Sequence, residues 1–107
     1  MTDTLTRLAQ TIEARKGRDD TKSYTAQLLN KGVEKCAEKF GEEAIEAIIA
    51  AVKGDKKNLT AEAADVLFHL LVMLTASDVT LDDVCAELER REGTSGIVEK
   101  QNRKAKA

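Results

Sequence analysis

Two short clusters of carboxylates, Glu43-Ala44-Ile45-Glu46 and Glu62-Ala63-Ala64-Asp65, are the residues of this chain best suited to chemistry. Each pair is spaced i, i+3 in an Ala-, Ile- and Leu-rich stretch that reads as helix, so both acids of a pair leave the same face. Carboxylates in such surroundings are costly to bury unless something positive neutralises them. Four of them from two neighbouring helices make an all-oxygen, strongly anionic cage, which suits a hard divalent cation, Mg²⁺ or Mn²⁺.

On a helix of 3.6 residues per turn, Lys35, Lys39, Glu42, Glu43 and Glu46 fall within roughly 100° of arc. Val33, Phe40, Ala44, Ala47, Ile48 and Ala51 lie largely opposite and are expected to pack the core. The next helix presents Glu62, Asp65 and His69 at i, i+3 and i+7. If the two helices pack antiparallel through the turn near Gly54, the acidic clusters come side by side. A cation held there could bridge the oxygens of a polyphosphate as Lewis acid and template, while Lys35 and Lys39 meet outlying phosphate charge. A carboxylate not fully engaged with the metal could take a proton from an attacking water. The chain has no P-loop, no Gly-rich dinucleotide fingerprint and no Ser/His/Asp nucleophile pattern, so metal-assisted hydrolysis fits better than covalent catalysis.

These residues also admit plainer readings. Glu42, Glu43 and Glu46 could be a solvated face paired with nearby lysines. Glu62 and Asp65 are harder to explain that way, because they lie directly ahead of the most apolar segment of the chain. His69, alone in that segment, reads as a satisfied core residue rather than a ligand. A ferritin-like di-iron site would want Glu-x-x-His, which is absent from the sequence.

The elements that must position the acids are legible from composition and punctuation. There is no proline, there are few aromatics, and Ala, Leu, Glu and Lys are abundant, which is the make-up of an all-α domain. A first helix is expected from about Asp3 to Arg15, then a polar loop over Lys16 to Lys22. Ser23 can cap a short helix interrupted near Asn30 to Gly32. A long helix follows from about Val33 to Lys53, with Gly54 suited to the left-handed position after it. Asp55 can cap the next, running to about Ala76. Thr80, with Asp83 three residues on, can cap another that ends at Gly93. A turn at Thr94-Ser95-Gly96 and a last short helix with Ile97, Val98 and the basic tail complete the reading: one domain over residues 1–107, a helical bundle of four to six helices.

Val66-Leu-Phe-His-Leu-Leu-Val-Met-Leu74 is apolar on every side except at His69, and such a helix must be buried all round. A domain of this size has few helices to surround it, so a second copy of the chain is expected to cover the rest: a homodimer or higher homo-oligomer. The net charge of −2 gives no basic field for nucleic acid, and the basic tail has no interleaved aromatics. The start lacks the n- and h-regions of a signal peptide, and Val66–Leu74 is too short to span a bilayer. Cys36 and Cys85 have no CxxC spacing and read as two core thiols. A cytoplasmic protein without membrane or nucleic-acid partners is expected.

Glu43-x-x-Glu46, a spacer, then Glu62-x-x-Asp65 resembles the metal-binding signature of the all-α nucleotide pyrophosphohydrolases, the MazG-like superfamily. Within it the chain looks most like the phosphoribosyl-ATP pyrophosphatase family. The resemblance covers nearly the whole sequence: Glu13-Ala-Arg-Lys16, Ser23-Tyr-Thr-Ala-Gln-Leu-Leu29, Lys39-Phe-Gly-Glu-Glu-Ala44, Glu62 to Val72, and Ser95-Gly-Ile-Val-Glu-Lys100. It implies Mg²⁺-dependent hydrolysis of 1-(5-phospho-β-D-ribosyl)-ATP to the AMP derivative and pyrophosphate, the second step of histidine biosynthesis. By position, Glu43, Glu46, Glu62 and Asp65 match the metal-binding acids. Glu42 matches an accessory acid or base, making Glu42 and Glu43 the candidate catalytic residues. Ser23 and Lys100 lie in matching segments and stand as candidate substrate contacts beside Lys35 and Lys39. No Cys/His zinc set for the following enzyme of that pathway, phosphoribosyl-AMP cyclohydrolase, is present. Two alternatives stay open at this point: a general nucleoside triphosphate pyrophosphatase with another base pocket, and a non-catalytic helical interaction module.

Overall fold

Local chemistry at the helix ends sets the element boundaries. The computed structural model describes residues 2–93, 96, 97, 100, 101 and 103, and among these the chain forms five helices and no strand. They are α1 (Thr2–Ala14), α2 (Tyr24–Lys31), α3 (Val33–Lys53), α4 (Lys56–Ala76) and α5 (Leu81–Arg91). The all-α expectation holds, and the long helices end where their caps put them. Ser23 Oγ accepts from the Ala26 amide at 3.1 Å, and Asp55 Oδ1 accepts from the Asn58 amide at 3.0 Å. Thr80 and Asp83 close a reciprocal capping box, each side chain accepting the other's backbone N–H at 3.0 Å. Gly54 takes φ 73°, the left-handed conformation that lets α3 stop and reverse at little steric cost. Gly32, between α2 and α3, also has a positive φ of 96° but with ψ 176°, an extended region open essentially to glycine alone. α5 ends at Arg91 rather than at Gly93. The expected turn at Thr94 and Ser95, together with Val98 and most of the basic tail, lies outside the described residues; Gly96, Ile97, Lys100, Gln101 and Arg103 are helical.

With α3 and α4 joined by so short a turn, they pack against each other as the principal helix pair, and α1 and α2 lean on it. The core is small. Ile12 from α1, Leu28 from α2, Cys36 from α3, and Leu71 and Val72 from α4 form one buried cluster, with Leu5, Leu8, Phe68, Met73 and Leu81 packed around it. Full burial of a side chain such as Val72 stabilises the fold by about 1.5–3 kcal/mol. Cys36 is fully buried and its thiol donates to the Leu28 carbonyl at 3.3 Å; burial pushes this thiol's pKa up, as expected of an inert core sulfur. Cys85 is only half-buried.

The inward face of α3 differs from the one its apolar residues suggested. Cys36 and Ala50 are its fully buried residues, with Glu43 and Ala47 half-buried between them. Phe40 and Ala44 are half-buried as expected, but Val33 and Ala51 are exposed and Ile48 keeps 60 % of its surface. Ile45, Ile48, Ile49 and Val52 instead form an exposed stripe at i, i+3, i+4 and i+7. α4 is likewise incompletely wrapped, with Leu67 at 42 % exposure. By length and composition α4 is the one described helix that could cross a membrane. Its apolar length here is spent on packing against α1, α2 and α3.

Candidate active site

The antiparallel α3–α4 hairpin carries Glu43, eleven residues before Gly54, alongside Glu62, eight residues after it. Carboxylate oxygens of Glu43, Glu62 and Asp65 all lie within 4.8 Å of one another. Two oxygens on opposite sides of a single Mg²⁺ stand about 4.2 Å apart, so small side-chain adjustments bring the three onto one ion. Glu46 is the fourth member, bordering both Glu43 and Glu62. Glu43 and Glu62 are half-buried, while Glu46 and Asp65 are exposed, so the cluster opens to solvent on one side.

Its electrostatics are those of a site short of positive charge. Burial, followed by the neighbouring Glu46 carboxylate and then Asp65, raises the pKa of Glu43. Glu62 is raised by burial first and then by Glu46, Glu43 and Asp65. The Glu62 Oε2 atom is closed off from solvent and has no hydrogen-bond partner. An orphaned acceptor among like charges costs free energy that protonation or a bound cation would offset. The all-oxygen donor set, the spacing and the orphaned atom together fit Mg²⁺ or Mn²⁺.

The remaining expected site residues are placed differently. Glu42 is exposed and pairs with Lys39 at 3.0 Å, and Lys35 pairs with Glu38 at 3.3 Å. Lys39 nevertheless stays close to Glu43 and Tyr24, both of which help to raise its pKa after the dominant contribution of Glu42. Ser23 spends its hydroxyl on the α2 cap. Lys100 is exposed on the helical segment beyond α5.

His69 sits at the inner edge of the site with 5 % of its surface exposed. Its Nδ1 lies 2.9 Å from the Asp65 carbonyl oxygen, which only an N–H can satisfy. That leaves Nε2 free to accept from the Tyr24 hydroxyl at 3.4 Å. Both ring nitrogens are therefore occupied, in keeping with a structural rather than a ligating histidine. Tyr24, Phe68 and His69 form an aromatic group beside the acids, which the sequence reading did not assign. The available signal was slight: Tyr24 directly follows a capping serine, and two of only three aromatic residues in the chain meet here.

The sequence profile of the phosphoribosyl-ATP pyrophosphohydrolase family matches residues 5–92. A protein named phosphoribosyl-ATP pyrophosphatase from Cereibacter sphaeroides is 71 % identical over 99 residues, covering 92 % of this chain and 96 % of that protein. Proteins of the same name from Paracoccus denitrificans and from a Jannaschia species are 70 % and 69 % identical, each over more than nine-tenths of both chains.

Proposed function

The chain belongs to the phosphoribosyl-ATP pyrophosphohydrolase family, and from that membership we propose that it hydrolyses 1-(5-phospho-β-D-ribosyl)-ATP to 1-(5-phospho-β-D-ribosyl)-AMP and pyrophosphate, the second step of histidine biosynthesis. The observation that carries the mechanism is the meeting of the Glu43, Glu62 and Asp65 carboxylates at the orphaned Glu62 oxygen, with Glu46 bordering them. Glu43, Glu46, Glu62 and Asp65 hold Mg²⁺, with Mn²⁺ a substitute. When bound, the cation supplies Lewis-acid polarisation of the phosphate oxygens and offsets their charge.

The chain's own residues then have distinct tasks. Glu43 and Glu62 form the floor, where partial burial keeps water scarce and strengthens each electrostatic contact. Glu46 and Asp65, exposed at the mouth, would hold the solvent-facing side of the cation toward the entering triphosphate. Glu42 and Glu43 are the candidate acids for taking the proton from the attacking water, Glu43 only through an oxygen not engaged with the cation and Glu42 only if its pairing with Lys39 opens. Lys39, beside the cluster, meets phosphate charge once released from Glu42. Lys35, Ser23 and Lys100 stand further out as substrate contacts.

The exposed stripe of Ile45, Ile48, Ile49 and Val52 supports a homo-oligomer, since a contiguous apolar surface beside a small core is most simply covered by a second copy through a two-fold axis. This is a cytoplasmic biosynthetic enzyme of one domain, acting on a small nucleotide. The decisive assay is pyrophosphate release from phosphoribosyl-ATP beside a panel of ordinary nucleoside triphosphates, with and without Mg²⁺. Efficient, Mg²⁺-dependent release confined to phosphoribosyl-ATP is expected. Equal turnover of a plain triphosphate would instead assign a general nucleotide pyrophosphatase.

A further inference from the structure

The rim of the acidic cluster carries an aromatic ring that is held firmly and left uncovered. Tyr24 keeps 50 % of its surface exposed although it is fixed from two sides. Its hydroxyl is tied to His69 Nε2 at 3.4 Å, and His69 is tied in turn to the backbone of Asp65. Its ring runs nearly parallel to Phe68, at an interplanar angle of 19° and a centroid separation of 6.5 Å. Phe68 and Tyr24 both meet His69 edge-on, at 88° and 74°. A surface tyrosine free of function would gain side-chain freedom in solvent; this one is ordered by two partners, Phe68 and His69.

We infer that Tyr24 is the platform on which the purine of the nucleotide stacks, a binding residue for the base rather than for the phosphates. The inference rests on the proposed reaction for the identity of the ligand and on the geometry for the place. The ring stands where a base would lie if its phosphates reached the acids, because Lys39 lies close to both Tyr24 and Glu43, and His69, bonded to the Tyr24 hydroxyl, also lies close to Glu43. Stacking suits such a ring, since a base offers a π-face whatever its edge groups, and loss of one stacked aromatic costs about five- to a hundredfold in affinity. The His69 bond is a second tether beside the Phe68 contact: with Nδ1 of the neutral ring donating to the Asp65 carbonyl, Nε2 accepts from the tyrosine hydroxyl, while the stacked ring itself is held against Phe68.

The chain supplies its own probe, having one tyrosine and no tryptophan. Its intrinsic fluorescence therefore reports Tyr24 alone. We expect Mg²⁺ with adenosine diphosphate to quench that emission saturably, beyond the inner-filter loss measured on free N-acetyltyrosinamide, whereas Mg²⁺ with inorganic pyrophosphate leaves it nearly unchanged. In steady-state kinetics Tyr24→Leu should raise KM for phosphoribosyl-ATP by about ten- to a hundredfold with kcat changed by less than about threefold, while Tyr24→Phe, which keeps the ring, stays within about threefold of the parent in both. Absence of nucleotide-specific quenching overturns the inference, as does a normal KM in a folded Tyr24→Leu. Emission that follows protein dilution instead of nucleotide also overturns it, since the ring would then be covered by a second copy. Should Tyr24→Leu fail to fold, the fluorescence of the parent protein decides alone. If adenosine diphosphate quenches Tyr24 but phosphoribosyl-ATP is not hydrolysed, the stacking site stands and the proposed reaction falls.

Discussion

Replacing Glu62 with glutamine should reverse its effect on stability depending on whether a divalent cation is present. In the folded chain Glu62 Oε2 has neither solvent nor a donor, and Glu46, Glu43 and Asp65 crowd it with like charge. Its pKa therefore lies above the ordinary value of 4.5, so the folded state binds the proton more tightly than the unfolded state. Linkage then gives the sign: without metal, stability is greatest below pH 4.5 and is lost as pH rises through the elevated folded value. An amide at this position carries no charge and can donate to a neighbouring carboxylate, so metal-free Glu62→Gln should melt above the parent at neutral pH. Adding Mg²⁺ inverts the order. A cation at a hundred times its dissociation constant adds about 2.7 kcal/mol to the folded parent. For a domain of about 100 residues that is roughly 10–20 °C in Tm. Partners that merely orient metal ligands are worth about 10–100-fold in affinity, so losing a direct ligand should cost at least about a hundredfold. At the same Mg²⁺ concentration the variant's gain then shrinks to roughly 2–3 °C. Thermal melts by circular dichroism, in chelator and in excess Mg²⁺, read both halves. A variant that melts below the parent in chelator, or that keeps the full Mg²⁺ shift, would refute this account of the site.

Three shorter expectations accompany it. Asp65→Asn and Glu46→Gln should each lower turnover by at least about a hundredfold with helical content unchanged, the scale of a metal's Lewis-acid contribution; near-normal turnover in either removes that residue from the site. Lys39→Ala should raise KM for phosphoribosyl-ATP more than for ATP, because the second phosphate of the larger substrate gives the lysine more to hold; an equal effect on both would argue for contact with the shared triphosphate only. Ile48→Lys should dissociate the assembly at micromolar concentration, since an ammonium buried in an apolar interface lacks a partner; light scattering that finds the parent already monomeric would remove the argument.

Much of this fold is written locally. Ser23, Asp55 and Thr80 cap the helices that follow them, and Gly54 ends α3, because capping involves residues only three or four positions apart. The meeting of the two acidic pairs could be read from the same punctuation, as one short turn forces α3 and α4 to run side by side. Burial could not be read in that way. Helical periodicity assigned Ile48 and Ala51 of α3 to the core and the acids to the opposite side, on the premise that apolar residues face inward. That premise fails where a site occupies the space between helices, and Glu43 takes a core-facing position instead. Ion pairing followed the plainer reading in part: Lys35 and Lys39 share a face with the acids, yet they pair with Glu38 and Glu42, one turn away on the same helix, rather than with the cluster. Tyr24 escaped notice because its neighbour His69 is forty-five residues away.

These features have one physical origin. Glu43 and Glu62 occupy half-buried positions between the two principal helices, where a structural bundle would place leucine or isoleucine. Each such replacement forgoes part of the apolar burial an aliphatic side chain would gain there and adds like-charge repulsion. The core that remains, Ile12, Leu28, Cys36, Leu71 and Val72, is correspondingly thin. Two resources offset the loss in the proposed enzyme. A cation bound among the acids would convert their repulsion into a shared attraction and would then serve the core as well as the proposed reaction. The apolar residues displaced to the outer face of α3, Ile45, Ile48, Ile49 and Val52, would gain burial in the proposed homo-oligomer. Metal occupancy and association should then be coupled through α3, which carries acids on its inner face and isoleucines on its outer one, so that chelation weakens the assembly and Ile48→Lys weakens the response of Tm to Mg²⁺. Analytical ultracentrifugation in chelator and in Mg²⁺ tests the first half. A dissociation constant indifferent to the metal would mean that α3 is stiff enough for its two faces to act independently.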